Sequence, residues 1–261
     1  MLKISVLGVG RMGREVIRAM MTFDDVELGG VWIRREGQVD SNALPPGTAV
    51  TVSEDLGEVL KAADVAVDFS LPGATLQVLD AAMKAGKPLV CGVTGLGDAE
   101  IRRMQRVSGA IPLFYDSNMS LGIAVLKDLL ARAASRLGPA FVAEIHETHH
   151  VHKKDAPSGT AMALGEALAQ SRQQSFADVF RYEPNGDARR QAPEDIVFSV
   201  TRRGDVAGEH SVVFRSDVEC LELTHKVSGR RVFAHGALEA ARWLAGREPG
   251  LYCMHDLMND S

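Results

Sequence analysis

The N-terminal run Leu2-Lys3-Ile4-Ser5-Val6-Leu7-Gly8-Val9-Gly10-Arg11-Met12-Gly13 decides the fold. A short β-rich stretch leads into a GxGxxG spacing, and a helical pattern over residues 14–21 follows. In this context the three glycines serve different ends. They allow a tight turn, close approach of bare backbone to a pyrophosphate, and close packing of helix on strand. The N-terminus of the following helix adds N–H groups and the positive end of a dipole. The spacing by itself is weak. Between a strand and a helix, it predicts a dinucleotide cradle made by Gly8, Val9, Gly10, Arg11, Met12 and Gly13.

Outward from this loop the chain alternates. Strands are expected at 26–33, 64–69, 88–91 and 111–115, with helices at 54–62, 74–85 (opened by Pro72) and 98–107. Residues 34–47 read as a polar loop. Strands alternating with helices give a parallel sheet covered on both faces, and right-handed crossovers make it doubly wound and Rossmann-like. The rhythm then changes to a long helix at 121–137, a strand at 141–148, a polar loop at 149–159 and an alanine-rich helix at 160–170. Three strands follow, at 196–201, 210–214 and 219–225, and imply an α+β domain with a mostly antiparallel sheet. A last helix at 237–245 is expected to return to the first domain. The division read from this is 1–118 with 231–261 for the dinucleotide, and 119–230 for substrate and oligomerisation. Residues 171–193 are polar, weakly patterned and without a role legible in the sequence.

Composition excludes several classes of function. With 46% hydrophobic and 24% charged residues over 261 positions, the chain is long and apolar enough for a real core. A net charge of −5 provides no broad basic field, so nucleic acid is not an expected partner. Cys91, Cys220 and Cys253 are odd in number and lack metal spacing, which suits a reducing compartment. No apolar run reaches the length of a membrane span, and a cytoplasmic location is expected.

Cofactor choice is legible at the end of the second strand. NAD-selective folds place an acidic residue there for the ribose 2′-hydroxyl. This chain has Arg34 and Arg35, two guanidinium groups suited to a 2′-phosphate. NADPH is the expected cofactor, with NADH use still possible.

The densest chemistry lies in Glu147-Thr148-His149-His150-Val151-His152-Lys153-Lys154-Asp155-Ala156-Pro157-Ser158-Gly159-Thr160. Histidines titrate near neutrality, and lysine supplies a cation or a proton. Ser158, Gly159 and Thr160 open a helix whose amides and hydroxyls can hold a carboxylate. His146-Glu147-Thr148-His149-His150 also fits HExxH, a zinc-hydrolase pattern that needs a helix to put both histidines on one face. The residues before it read as a strand, on which His146 and His149 point to opposite faces. No metal is therefore expected.

The run His149-His150-x-x-Lys153-x-Asp155-Ala156-Pro157-Ser158-Gly159-Thr160-Ala161 resembles the 4-hydroxy-tetrahydrodipicolinate reductase (dihydrodipicolinate reductase) family of the diaminopimelate–lysine pathway. Supporting matches are Gly10-Arg11-Met12-Gly13, Asp68-Phe69-Ser70, Gly92-Val93-Thr94-Gly95, Asn118-Met119-Ser120-Leu121-Gly122, Gly208-Glu209-His210 and Leu223-Thr224-His225-Lys226, so the likeness spans the chain. The resemblance implies NAD(P)H-dependent reduction of a small cyclic dicarboxylate with loss of water. It implies that His149 is the proton donor and acceptor and Lys153 a further donor, with His150, Gly159 and Thr160 binding substrate and Ser158 nearby. It adds Gly92, Val93, Thr94, Asp116, Ser117, Asn118 and Met119 to the cofactor site, and implies a homotetramer whose domains close to exclude water.

The chain departs from the family pattern in three places. The glycine loop is one residue shorter than in many relatives. Arg34 stands where an acidic residue is common, and Met119 where phenylalanine is common. Three other readings stay open at this level: a different nicotinamide enzyme on a related scaffold, a dinucleotide sensor without catalysis, and a zinc hydrolase. The first leaves the run from His149 to Thr160 unexplained, and intact His149 and Lys153 argue against the second.

Overall fold

The computed structural model describes residues 1–34, 50–183 and 192–260. Arg35, most of the loop expected at 34–47 and part of 171–193 lie outside the described residues. In chain order the elements of the first half are β1 (Leu2–Leu7), α1 (Arg11–Met20), β2 (Val26–Trp32), β3 (Thr51–Ser53), α2 (Leu56–Lys61), β4 (Val65–Asp68), α3 (Pro72–Ala85), β5 (Leu89–Cys91), α4 (Asp98–Val107) and β6 (Pro112–Tyr115). Then follow α5 (Leu121–Leu137), β7 (Val142–His149), α6 (Gly159–Ser171), α7 (Phe176–Val179), β8 (Phe180–Tyr182), β9 (Ile196–Arg202), β10 (Gly208–Arg215) and β11 (Cys220–Val227). The chain ends with α8 (Arg231–Leu244), β12 (Gly250–Tyr252) and α9 (Met254–Asn259). It divides into two compact units, Met1–Leu121 with Arg230–Ser261, and Gly122–Gly229.

The first unit is a seven-stranded sheet in the order β12-β6-β5-β4-β1-β2-β3, with every pairing parallel. Alternation along β1 sends its side chains to two helical layers. The Ser5 hydroxyl donates to the Val59 carbonyl of α2 at 2.8 Å, while Val6 lies under α1 beside Gly13. Leu7, Leu60, Leu79, Val107 and Leu113 are fully buried in the core beneath α2, α3 and α4. Each such side chain adds roughly 1.5–3 kcal/mol when removed from water. On the α1 side the chain returns after the second unit, and α8 packs beside α1 and across β4, β5 and β6. β12 then joins the far edge next to β6. This short edge strand, with α9 and β3, has no sequence expectation, because three residues are too few to show a period.

The second unit is a five-stranded sheet, β11-β10-β7-β9-β8. The expected α+β unit is present, and its antiparallel pairings are joined by parallel ones. β7, β10 and β11 pair antiparallel, but β7 with β9 and β9 with β8 pair parallel, so the sheet is mixed. α6 carries the chain away from β7, so that β8 returns in the direction of β7. Leu126 and Leu130 of α5 and Leu164 and Leu168 of α6 cover one face, against Ile145, Phe198, Val212 and Phe214. Gly165 lets the Phe198 and Phe176 rings reach the α6 backbone, where a Cβ would lie 2.4 Å from the Phe198 ring.

α1 begins at Arg11, three residues before the sequence expectation, with Gly10 as its cap. Gly8 has φ +92°. A Cβ there would lie 2.8 Å from Ser70 Cα, and one on Gly13 would lie 1.8 Å from the Gly8 carbonyl. Both contacts are with backbone and cannot be relieved by a rotamer. Gly13→Ala is expected to push α1 off β1, destabilising the first unit by roughly 1–3 kcal/mol and abolishing dinucleotide binding. Thermal unfolding and a fluorescence titration with NADPH measure both effects, and wild-type values in both would refute the packing argument.

Candidate active site

The seven-stranded sheet changes direction of winding between β1 and β4, and open α/β sheets bind ligands at the carboxyl ends of strands at such a point. A cleft of about 280 Å³ opens there. Gly8, Val9, Gly10 and Arg34 of the sequence-predicted set line it. Arg14, Trp32, Phe69, Ser70 and Leu71 also line it and were not among the expected residues. A Cβ on Gly10 would meet nothing within 4 Å, so bare backbone at the start of α1 faces open space. The first turn of α1 carries no acidic residue. This is the shape and charge that a pyrophosphate needs, and the residues fit a dinucleotide. Arg14 is held over the loop by its Nε, which donates to the Val9 carbonyl at 3.2 Å. No carboxylate is among the described lining residues.

The remaining expected cofactor residues sit along the same carboxyl edge. Gly92, Val93 and Thr94 follow β5, and Asp116, Ser117, Asn118 and Met119 follow β6. Gly92 packs against the Phe69 ring, where a Cβ would lie 2.3 Å from a ring carbon. Asp116 Oδ1 accepts from the Asn118 amide at 3.0 Å, and Asn118 Oδ1 from the Ser120 amide at 2.9 Å, which fixes that turn. Met119 is 1% exposed, and its carbonyl packs on Gly236 of α8. Its thioether is core, and the segment rather than that side chain borders the edge. Met12 is half-buried in α1, and Arg11 is exposed. Asp68, at the end of β4, is fully buried; its Oδ1 accepts from the Ser70 amide at 2.8 Å. Burial pushes its carboxyl up to about 6.

The second cluster forms on the helix-covered face of the five-stranded sheet. The pleat puts Glu144 and His146 of β7 on one face and Glu147 and His149 on the other. The contacts agree: His146 Nε2 pairs with Glu144 at 3.0 Å, while His149 Nδ1 lies 3.7 Å from Glu147. His146 and His149 of the HExxH pattern therefore lie on opposite faces of the sheet, as its strand setting predicts. Neighbouring strands add residues that the sequence reading did not assign. Arg202, from the end of β9, places both terminal nitrogens 3.3 Å from Glu147 Oε1. His210, opposite Glu147 on β10, places Nε2 3.8 Å from Glu147 Oε2. Glu147 stood at the head of the chemistry-dense run and in the HExxH pattern without a role of its own, and Arg202 and His210 are more than fifty residues away.

The loop after β7 closes over this cluster. The Ser158 amide donates to both oxygens of Glu147 at 3.1 Å, and Ser158 Oγ caps α6 by accepting from the Ala161 amide at 3.2 Å. Ser158 is thus buried and internally engaged, while Gly159 is exposed and Thr160 half-buried on the first turn of α6. Lys153 Nζ pairs with Asp155 at 2.7 Å, and Arg202 donates to the Lys153 and Asp155 carbonyls. The peptide between Ala156 and Pro157 is cis. His150 is half-buried beside His152, at 6.2 Å between ring centres.

Burial, opposed by Glu147 and Asp155 and reinforced by Lys153 and Arg202, holds the His149 imidazole below its ordinary range. Burial and the neighbouring His149, His225 and Lys153 push His210 down to about 3. Glu147, His149 and His210 each offer a ligand atom, all within 4.8 Å of one another. Arg202 already pairs with the Glu147 carboxylate and Lys153 with Asp155, so the cluster carries no surplus negative charge to attract a divalent ion. The cluster is better matched to an anionic ligand and to proton transfer.

Residues 2–119 match the family model described as dihydrodipicolinate reductase, N-terminus, and residues 122–258 the one described as dihydrodipicolinate reductase, C-terminus. Proteins named 4-hydroxy-tetrahydrodipicolinate reductase from Alkalilimnicola ehrlichii and Wolinella succinogenes are each 40% identical, covering 98% of this chain and 98% of theirs. Among solved structures, a dipicolinate-bound dihydrodipicolinate reductase from Paenisporosarcina sp. TG-14 superposes with a TM-score of 0.80 at 21% identity, over 97% of both chains.

Proposed function

The chain belongs to the dihydrodipicolinate reductase family and reduces 4-hydroxy-tetrahydrodipicolinate to tetrahydrodipicolinate with a nicotinamide dinucleotide, and from that premise we propose how its residues divide the work. The balance is one hydride and one proton in, one water out. When bound, the reduced nicotinamide supplies the hydride. Residues 1–118 with 231–261 hold the dinucleotide through the loop Gly8 to Gly13, the strand-end Arg34, and the edge segments after β5 and β6. Residues 119–230 hold the dicarboxylate.

Hydride addition to an unsaturated ring conjugated to an imine builds negative charge on the ring, which a neighbouring cation and a proton donor stabilise and quench. His149 gives and takes the proton, and Lys153 Nζ is the second donor and the cation facing the substrate. Gly159 and Thr160, at the exposed start of α6, and His150 bind a carboxylate, with Ser158 fixing the turn. The observation that carries this reading is the set of Lys153, Arg202 and the α6 N-terminus, with their partners Asp155 and Glu147, around a buried, easily deprotonated His149. The dipicolinate named for the Paenisporosarcina protein is a ligand of the same class, a planar ring with two carboxylates.

NADPH is the preferred form, supported by Arg34 and Arg14 in a cleft with no carboxylate among its described lining residues. A homotetramer assembles through the second unit. The face of its sheet that carries Glu144, His146, Ser211 and Thr224 is not the one covered by α5 and α6, and the edge strand β11 leaves Leu221 40% exposed. No described helix is long and apolar enough to cross a membrane. The three free cysteines are consistent with a cytoplasmic location.

In an assay coupled to dihydrodipicolinate synthase, His149→Gln and Lys153→Ala are each expected to lower kcat by roughly 10²- to 10⁴-fold with NADPH affinity retained. Normal turnover by Lys153→Ala would remove the proton and carboxylate roles of the loop. The kcat/KM for NADPH is expected to exceed that for NADH, and Arg34→Ala to erase the difference by weakening NADPH alone; a clear NADH preference in the wild type would reverse the assignment. Sedimentation equilibrium is expected to give four chains, and a monomer at micromolar concentration would end the assembly proposal.

A further inference from the structure

His149 has a buried side as well as a side available to substrate. Its Nδ1 is buried and makes no hydrogen bond, and it points toward Glu147 Oε2 at 3.7 Å. Glu147 is itself 1% exposed in its side chain, and its other contacts leave it little freedom. Arg202 grips Oε1 with two nitrogens, and the Ser158 amide bridges both oxygens from the first residue before α6. A carboxylate accepts about four hydrogen bonds, so the clamp leaves capacity on Oε2, the oxygen facing the imidazoles. His210 Nε2 is near the same oxygen, and also lies 3.3 Å from Ser158 Oγ.

We propose that Glu147 is the positioning residue of the proton donor: it pairs with His149 Nδ1, fixes the ring as the Nδ1–H tautomer, and leaves Nε2 as the atom that exchanges protons with the ring substrate. A shift of under about 1 Å turns the present approach into a hydrogen bond of ordinary length. A carboxylate behind an imidazole sets tautomer and orientation and stabilises the imidazolium. Gly208 makes the same arrangement possible from the other side. A Cβ on it would lie 3.3 Å from His149 Nε2, so the glycine keeps that nitrogen from being crowded. The proposal rests on His149 being the donor.

The charged and titratable groups facing His149 come from every neighbouring element. They are Glu147 from β7, Arg202 from β9, His210 from β10 with His225 beside it on β11, and Lys153 and Asp155 from the loop. Arg202 and Lys153 disfavour a second positive charge, and Glu147 is the carboxylate nearest the ring. Without it, the imidazolium forms only at lower pH.

The test compares wild type, Glu147→Gln, Glu147→Asp and His149→Gln in the coupled assay from pH 5.5 to 9. The Gln variant keeps an acceptor for the Ser158 amide and loses the charge. Its kcat is expected to fall about 10- to 100-fold at pH 8, with the deficit shrinking toward acid pH and both KM values within threefold of wild type. The Asp variant is expected to recover much of kcat and the wild-type shape of the profile. Nitrogen-15 spectra of the imidazoles, with His149 assigned by its loss in His149→Gln, are expected to show Nδ1–H in the wild type and a mixed tautomer without the carboxylate charge. A Glu147→Gln profile superimposable on wild type, with His149→Gln inactive, overturns the pairing and leaves the donor assignment standing. Full activity in His149→Gln overturns both. Should Glu147→Gln fail to fold, the wild-type tautomer decides: Nε2–H there is incompatible with the proposal.

Discussion

A carboxylate in the interior must be met from every side, and the neighbourhood of Glu147 is organised by that constraint. Burying an isolated carboxylate is prohibitively costly, and a buried pair tolerates it only when geometry and hydrogen bonds are good. Here the strand end of β9 brings Arg202, the loop after β7 brings the Ser158 amide, and β10 brings His210. Losing one partner of such a set typically costs about 3–5 kcal/mol. The loop that carries Lys153 is therefore held at both ends: by β7 where it leaves the sheet, and by the Ser158–Glu147 contact where it enters α6. Arg202 reaches carbonyls of Lys153 and Asp155 between those ends. The loop from Lys153 to Ser158 is thus fixed by a buried charge and its partners.

The other unit solves a different problem with backbone. At the start of α1 the N–H groups face space that no side chain fills, which suits them to an anionic group. Gly8 and Gly13 bring strand, loop and helix together at distances where a Cβ would collide with backbone, while Gly10 is left open. The first unit thus needs missing side chains at its glycine loop, and the second needs crowded, charged ones around Glu147. The two needs are hard to satisfy on one surface, which gives a physical reason for two units with separate cores.

The sequence was most informative where a period ran long enough to count. The parallel sheet followed from nine strand and helix segments, and helices such as 98–107 and 121–137 appear with the expected bounds. It failed for β3, β12 and α9, which are too short to show a pattern, and it did not resolve the parallel pairings of β9 with β7 and β8 within the second sheet. At the site, motif residues clustered in sequence were easy to name. Phe69 and Ser70 border the glycine loop because β4 lies beside β1, and no spacing in the chain encodes that neighbour.

Local chemistry along the chain was enough to place the glycine loop between a strand and a helix, the arginine at the end of β2, the histidine–lysine run, and the opposite facing of His146 and His149, because each depends on residues a few positions apart. The meeting of Glu147 with Arg202 and His210 was decided by tertiary structure alone. Side chains separated by 55 and 63 positions share a face only once β7 has paired with β9 and β10 in one particular register, and a shift of one residue would turn each of them to the other side.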